Sequence, residues 1–141
     1  MRPACVEVDL AAIRGNIRAI RAVTGPGPAI AAIVKAGAYG HGAVEVSRAA
    51  LEAGAALLCV AIPDEGIELR EAGLQAPILV LGPPNAQEIA DALAHDLMPS
   101  IGEPQHAAMV AEAACRQGRQ ARVHVKLDTG MGRHGARPEV A

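Results

Sequence analysis

Phenylalanine and tryptophan are absent from this chain, and tyrosine occurs once, at position 39. The core must therefore be aliphatic and rich in alanine. The 141 residues, 51% hydrophobic, suffice for one domain with one core. Runs of a single charge are also missing: Lys and Arg (13) and Asp and Glu (15) are scattered, for a net charge of -2. The electrostatic footprint of a nucleic-acid or acidic-membrane binder is absent. Apolar stretches fall far short of the ~20 residues that span a bilayer. The opening "MRPACVEVDLAAIRGNIRAI" has no apolar h-region and carries Glu7 and Asp9, so it does not read as a secretory signal. Cys5, Cys59 and Cys115 contain no Cys-x-x-Cys and read as small reduced residues. Histidines 41, 95, 106, 124 and 134 lack metal-ligand spacing, so no metal is expected. Gly-x-Ser-x-Gly is missing, and no Gly-x-Gly-x-x-Gly follows the first strand. These absences suit a cytoplasmic protein.

What is present is an alternation of helix and strand patterns. After an extended "VEV", Asp9 is a plausible N-cap for "LAAIRGNIRAIRAV", with Leu10, Ile13, Ile17 and Ile20 on one face. "TGPGP" ends it, and "AIAAIVK" reads as a buried strand. Strands "ALLCVAI", "PILVLG", "LMPSI" and "ARVHVKLD" follow, separated by helices. Pro63 opens one helix, followed by Asp64 and Glu65, and its acids read as a solvated face. Asn85 with Glu88 reads as a capping box. Five short apolar strands alternating with helices predict parallel βα units. A doubly wound sheet and a (β/α)8 barrel both fit that rhythm. The barrel is favoured because polar residues sit at the C-terminal ends of strands far apart in sequence. A full barrel takes about 250 residues, so the expectation is a partial barrel of about five units.

Two constellations carry chemistry. In "AIAAIVKAGAYGHG" an apolar run ends on Lys35, followed by Gly37, Tyr39, Gly40, His41 and Gly42. A desolvated amine at a strand mouth favours its neutral form, which can attack a carbonyl. The glycines let backbone approach a ligand and offer N–H donors to an anion. An amine beside an anion cradle suits an aldehyde carrying phosphate, whether pyridoxal phosphate or a sugar-phosphate aldol substrate. The plain alternative is a lysine that snorkels to solvent. In "VHVKLDTGMGRHG", His124, Lys126 and Asp128 share one strand face, and Arg133 follows in a Gly-rich turn where a guanidinium can grip a carboxylate. The alternative there is a solvated face with a surface arginine. "GPPN" at 82–85 reads as a plain turn.

"IVKAGAYGHG" closely resembles the pyridoxal-phosphate attachment motif of alanine racemases, and "VKLDTGMGRHG" resembles a second signature of that family. "VEVDLAAIRGNI" and "DEGIELREAGLQAPILVLG" resemble its N-terminal segment and middle strands, so the likeness runs along the whole chain. The resemblance implies a homodimeric fold-type III enzyme with a (β/α)8 barrel and a C-terminal β domain. Such enzymes interconvert L- and D-alanine and supply D-alanine for peptidoglycan. It implies pyridoxal 5'-phosphate held covalently by Lys35, which also serves as the base on one face of the substrate. Tyr39 matches a tyrosine on the cofactor phosphate, and Leu81 an apolar contact to its ring. Arg133 matches an arginine that contacts the substrate carboxylate and lies near the cofactor's phenolic oxygen. Lys126 matches a lysine, carbamylated in some members, that orients this arginine.

The sequence departs from the pattern at Ile33, where valine is usual, and at Gly37, where the family has Asp or Asn. On this reading residues 1–141 are the truncated N-terminal part of the racemase barrel domain, without the C-terminal β domain. The family's second base, a tyrosine of the partner subunit, then lies outside them, and the segment alone is expected to be inactive. Other readings are a pyridoxal-phosphate-binding protein without racemase activity, a racemase for serine or a broader set of amino acids, a Schiff-base aldolase, and an inactive fragment.

Overall fold

The computed structural model describes residues 4–138. Eleven elements follow in order: α1 (Leu10–Thr24), β1 (Ala31–Ile33), α2 (Lys35–Gly40), α3 (Ala43–Glu52), β2 (Leu57–Val60), α4 (Pro63–Glu71), β3 (Ile78–Val80), α5 (Ala86–Ala94), β4 (Met98–Ile101), α6 (Pro104–Arg116) and β5 (His124–Val125). The helix starts follow local chemistry. Asp9 caps α1 by accepting the Ala11 and Ala12 amides at 2.8 and 3.1 Å. Asn85 accepts from Gln87 and Glu88, while the Glu88 carboxylate takes the Asn85 amide at 2.7 Å, which completes the capping box. "VEV" joins no strand.

The five strands lie side by side in sequence order, every pair parallel. That order decides between the two architectures. A doubly wound sheet reverses strand order and carries helices on both faces. Here the order never reverses, and right-handed crossovers then put all the helices on one side. The strand side chains divide accordingly. Val34, Leu58, Val60, Ile78 and Val80 pack with Leu69, Leu74, Ala92 and Leu97 into the main core beneath the helices. Each fully buried aliphatic side chain there contributes about 1.5–3 kcal/mol. Cys59, Leu79 and Met98 form a smaller cluster on the opposite, inner face. This is part of a TIM-type barrel wall: five parallel strands, helices outside.

β1 is not the fully buried strand that its composition predicts. Ile30 and Val34 are buried toward the helices, but Ala31 and Ile33 are open on the inner face, Ile33 at 49%. β1 pairs with β2 on one side only, and among the described residues nothing covers its inner face. β5 is shorter than "ARVHVKLD" suggests. Beyond Val125 the chain holds on through the Lys126 amide to the Ile101 carbonyl, 2.8 Å.

Candidate active site

The chemistry-bearing residues gather at the C-terminal ends of these strands. β1 runs directly into α2, one turn of left-handed helix: Ala36, Gly37, Ala38 and Tyr39 have φ between +51° and +62° and ψ between +38° and +48°. The sequence suggested an irregular glycine loop, and the structure shows a regular turn of unusual hand. Left-handed backbone costs a non-glycine residue roughly 1–2 kcal/mol, and Ala36, Ala38 and Tyr39 all adopt it. Gly37 adopts it free of strain. The turn is pinned by amide-to-carbonyl bonds Ala38 to Val34 (2.9 Å) and Gly42 to Gly37 (2.8 Å). The His41 ring bonds the Ala38 carbonyl through Nδ1 at 2.9 Å, so His41 braces the turn.

A carboxylate ties this turn to its neighbour. Glu65, in the first turn of α4, accepts the Ala36 amide on Oε1 at 2.7 Å and the Ala61 amide on Oε2 at 2.6 Å. Hydrogen bonds to a charged acceptor contribute about 1.5–3 kcal/mol, comparable to the strain of one left-handed alanine. Glu65 is thus no member of a solvated face, as its helix pattern suggests. Next along, the Gly82 amide donates to the Ala61 carbonyl at 3.0 Å. A Cβ on Gly82 would stand 2.6 Å from that oxygen, so only glycine permits the approach. The ends of β1, β2 and β3 are laced together.

On the far side, "DTGMGRH" folds back onto its own strand. Asp128 Oδ1 accepts the Gly130 and Gly132 amides, each at 3.0 Å. The Ala136 amide donates to the Lys126 carbonyl and the Asp128 amide to the Ala136 carbonyl, both at 2.8 Å. The backbone bonds from Gly132 and Gly130 hold the Asp128 carboxyl below the usual carboxylate range, opposed by partial desolvation and assisted by Lys126. The inward-facing acid thus finds its partners in loop amides.

Between these walls lies a cavity of about 320 Å³, lined by Lys35, Ala61, Leu81, Gly82, Pro83, Lys126, Arg133 and His134. Four residues singled out in the sequence, Lys35, Leu81, Lys126 and Arg133, meet here from three strand ends and one loop. Tyr39 does not line the cavity and is 60% exposed. Sequence reading did not place Gly82, Pro83 or His134 at the site. His134 packs over Gly102 and faces His106, ring centroids 6.2 Å apart. Its Nε2 is buried without a hydrogen-bond partner. Partial burial, then the positive charge of Lys126, lower the His134 pKa. No metal-binding group of three or more His, Cys, Asp or Glu occurs among the described residues. No helix among them is long and apolar enough to cross a membrane.

The donor set is specific in kind. It offers one amine at a strand mouth, an apolar wall at Leu81 and two further cations for anionic groups. A phosphorylated aldehyde of pyridoxal 5'-phosphate size fits that chemistry.

The sequence model described as alanine racemase, N-terminal domain, matches residues 8–141. An alanine racemase of Desulforamulus reducens is 48% identical over 137 residues, which cover 97% of this chain and 37% of that protein. The solved alanine racemase of Clostridium difficile superposes with a TM-score of 0.89 at 36% identity, over 92% of this chain and 34% of that one. The Bacillus anthracis alanine racemase, solved with bound L-Ala-P, gives 0.87 at 39%, over 94% and 34%. The chain therefore spans little more than a third of the length of the relatives it matches.

Proposed function

This chain belongs to the alanine racemase family, and from that premise we propose that its cavity holds pyridoxal 5'-phosphate on Lys35 and that the whole protein interconverts L- and D-alanine. Residues 1–141 are then the N-terminal part of the barrel domain. The observation that carries the reading is the convergence of Lys35, Leu81, Lys126 and Arg133 on one cavity.

When bound, the cofactor supplies an electron sink that makes the α-hydrogen of an attached amino acid removable. The chain's own residues would bind, orient and serve one face of the substrate. Lys35 would hold the cofactor and, as the amine freed when substrate takes its place, would take or return a proton at one face of the substrate α-carbon. Arg133, on the cavity wall, would bind the substrate carboxylate through its planar fork. Lys126 shares the cavity with Arg133 and, as a carbamate, would fix it. A carbamate needs a neutral amine and hence a desolvated site. Leu81, an apolar part of the cavity wall, would pack against the cofactor ring. Tyr39, exposed on α2 and outside the cavity lining, is assigned to the cofactor phosphate by the family resemblance alone. Homodimerisation, a second base from the partner subunit, a cytoplasmic location and a role in supplying D-alanine for peptidoglycan all belong to this reading.

The test is borohydride reduction of the cofactor-loaded intact gene product, followed by peptide mapping and a chiral assay of alanine. The label should fall on Lys35, and Lys35→Ala should lose both label and racemisation. A label on Lys126, or none, sinks the reading. Label on Lys35 without alanine turnover points to a cofactor holder, and faster turnover of serine to a different racemase.

A further inference from the structure

We propose that Glu65 is the positioning residue of the cofactor lysine: its carboxylate clamps the left-handed turn α2 to the end of β2 and so fixes the direction in which Lys35 leaves β1. The inference rests on the reading that Lys35 carries the cofactor. Ala36 is the residue directly after Lys35, and its amide donates to Glu65 Oε1 at 2.7 Å. The other carboxylate oxygen takes the amide of Ala61, itself on the cavity wall, at 2.6 Å. The Ile62 amide approaches the same oxygen at 3.5 Å. One side chain thus reaches back 29 positions to the backbone beside the lysine and joins it to the backbone of the next strand end.

Ala36 adopts φ +51° and ψ +47°, which an alanine holds only where its surroundings enforce it. A charged acceptor facing its amide is such an enforcement. The origin of that acceptor is equally fixed. Pro63 is fully buried at the start of α4, and Gly66 lies so close to Leu97 that an added Cβ would meet it at 2.8 Å. α4 is therefore docked tightly on either side of Glu65, and the carboxylate has a rigid base. Both oxygens are engaged by different donors, which requires the carboxylate. An amide would offer one acceptor and set an N–H₂ against an N–H.

The experiment compares Glu65→Ala, Glu65→Gln and, as control, Asp64→Asn, an exposed acid next door on α4, in the intact gene product. Three readouts are taken: hydrogen exchange at the Ala36 amide, the rate of pyridoxal-phosphate attachment at Lys35, and kcat and KM for alanine. Glu65→Ala should expose the Ala36 amide while leaving α6 protected. It should slow attachment and lower kcat by about 100-fold, as expected for a reacting group misplaced by an ångström, with KM changed far less. Glu65→Gln, which keeps one acceptor and the side-chain volume, should fall between, and Asp64→Asn should match the unsubstituted protein. Unaltered attachment and kcat in both Glu65 variants overturn the proposal, as does an Ala36 amide that stays protected. No label on Lys35 in the unsubstituted protein sinks the functional reading instead, a result separate from any difference among the variants.

Discussion

Asp128 and Gly132 are joined across four positions by a 3.0 Å hydrogen bond, the Gly132 amide donating to Oδ1. The Gly130 amide shares that oxygen, and the loop that presents Arg133 and His134 closes around it. Asp128→Ala should open the loop, with cleavage between 128 and 136 by a dilute protease about tenfold faster. Asp128→Asn keeps the accepting oxygen and should stay closer to the unsubstituted protein. Because the folded carboxyl lies below its ordinary range, its stabilising effect is complete above that range and is lost as pH falls through the folded value. Equal protease resistance of Asp128→Ala and the parent would refute this account.

Arg133 reaches the cavity from that loop, and its role depends on a planar fork. Arg133→Lys keeps the charge and loses the fork, so kcat/KM for alanine should fall at least about tenfold. Near-normal kinetics would make Arg133 a surface residue.

His134 should tie stability to pH. Its folded pKa is lowered, first by burial and then by Lys126. Between that value and the usual ~6.5, the unfolded chain binds more protons, so stability rises with pH there and is flat above. Melting temperature should therefore drop as the buffer is acidified below about pH 6.5, and His134→Leu should remove part of that slope. With Lys126 as its ammonium, before any carbamylation, Lys126→Met should raise the His134 pKa in an NMR titration. An unchanged value would remove Lys126 as a cause.

The left-handed turn offers a test of strain. Ala36 is exposed, so Ala36→Gly relieves its backbone at little cost and should stabilise by about 1 kcal/mol in urea unfolding. Ala38 has the same backbone but is buried at 5%. Losing its methyl removes about 0.8 kcal/mol of burial, so Ala38→Gly should be near neutral. Destabilisation by Ala36→Gly would mean that the turn is unstrained.

Racemisation removes a proton from one face and delivers it to the other. Residues 1–141 expressed alone should therefore bind the cofactor weakly, without turning over alanine, if the second base lies outside them. Turnover that Lys35→Ala abolishes would refute this. His134, the titratable ring on the cavity wall, would then be the next residue to remove.

What the sequence discloses here is what depends on near neighbours or on parallel geometry. Asp9 and Asn85 cap helices through amides two and three positions away. Lys35 and Lys126 converge because each lies at the end of a parallel strand, a placement that alternation predicts, whereas Leu81 is marked out by the family resemblance alone. Glu65 stayed hidden because its partner, Ala36, is near it only once α4 has docked. The hand of α2 was invisible because alanine carries no preference for φ above zero. The open inner face of β1 could not be read from "AIAAI", since apolar composition does not say which strand face is covered. Gly82 looked like turn punctuation, and its need to be glycine comes from the Ala61 carbonyl 2.6 Å from where a Cβ would sit.

The aliphatic core has a spectroscopic consequence. With no tryptophan and a single tyrosine among residues 1–141, the near-ultraviolet emission of this segment comes from one phenol. That phenol is on the left-handed turn, four positions from Lys35 and 60% exposed. Its intensity reports on the surroundings of the turn, and its anisotropy on local motion there together with tumbling of the whole molecule. The site carries its own fluorophore, and ordering of α2 can be followed by light without a label.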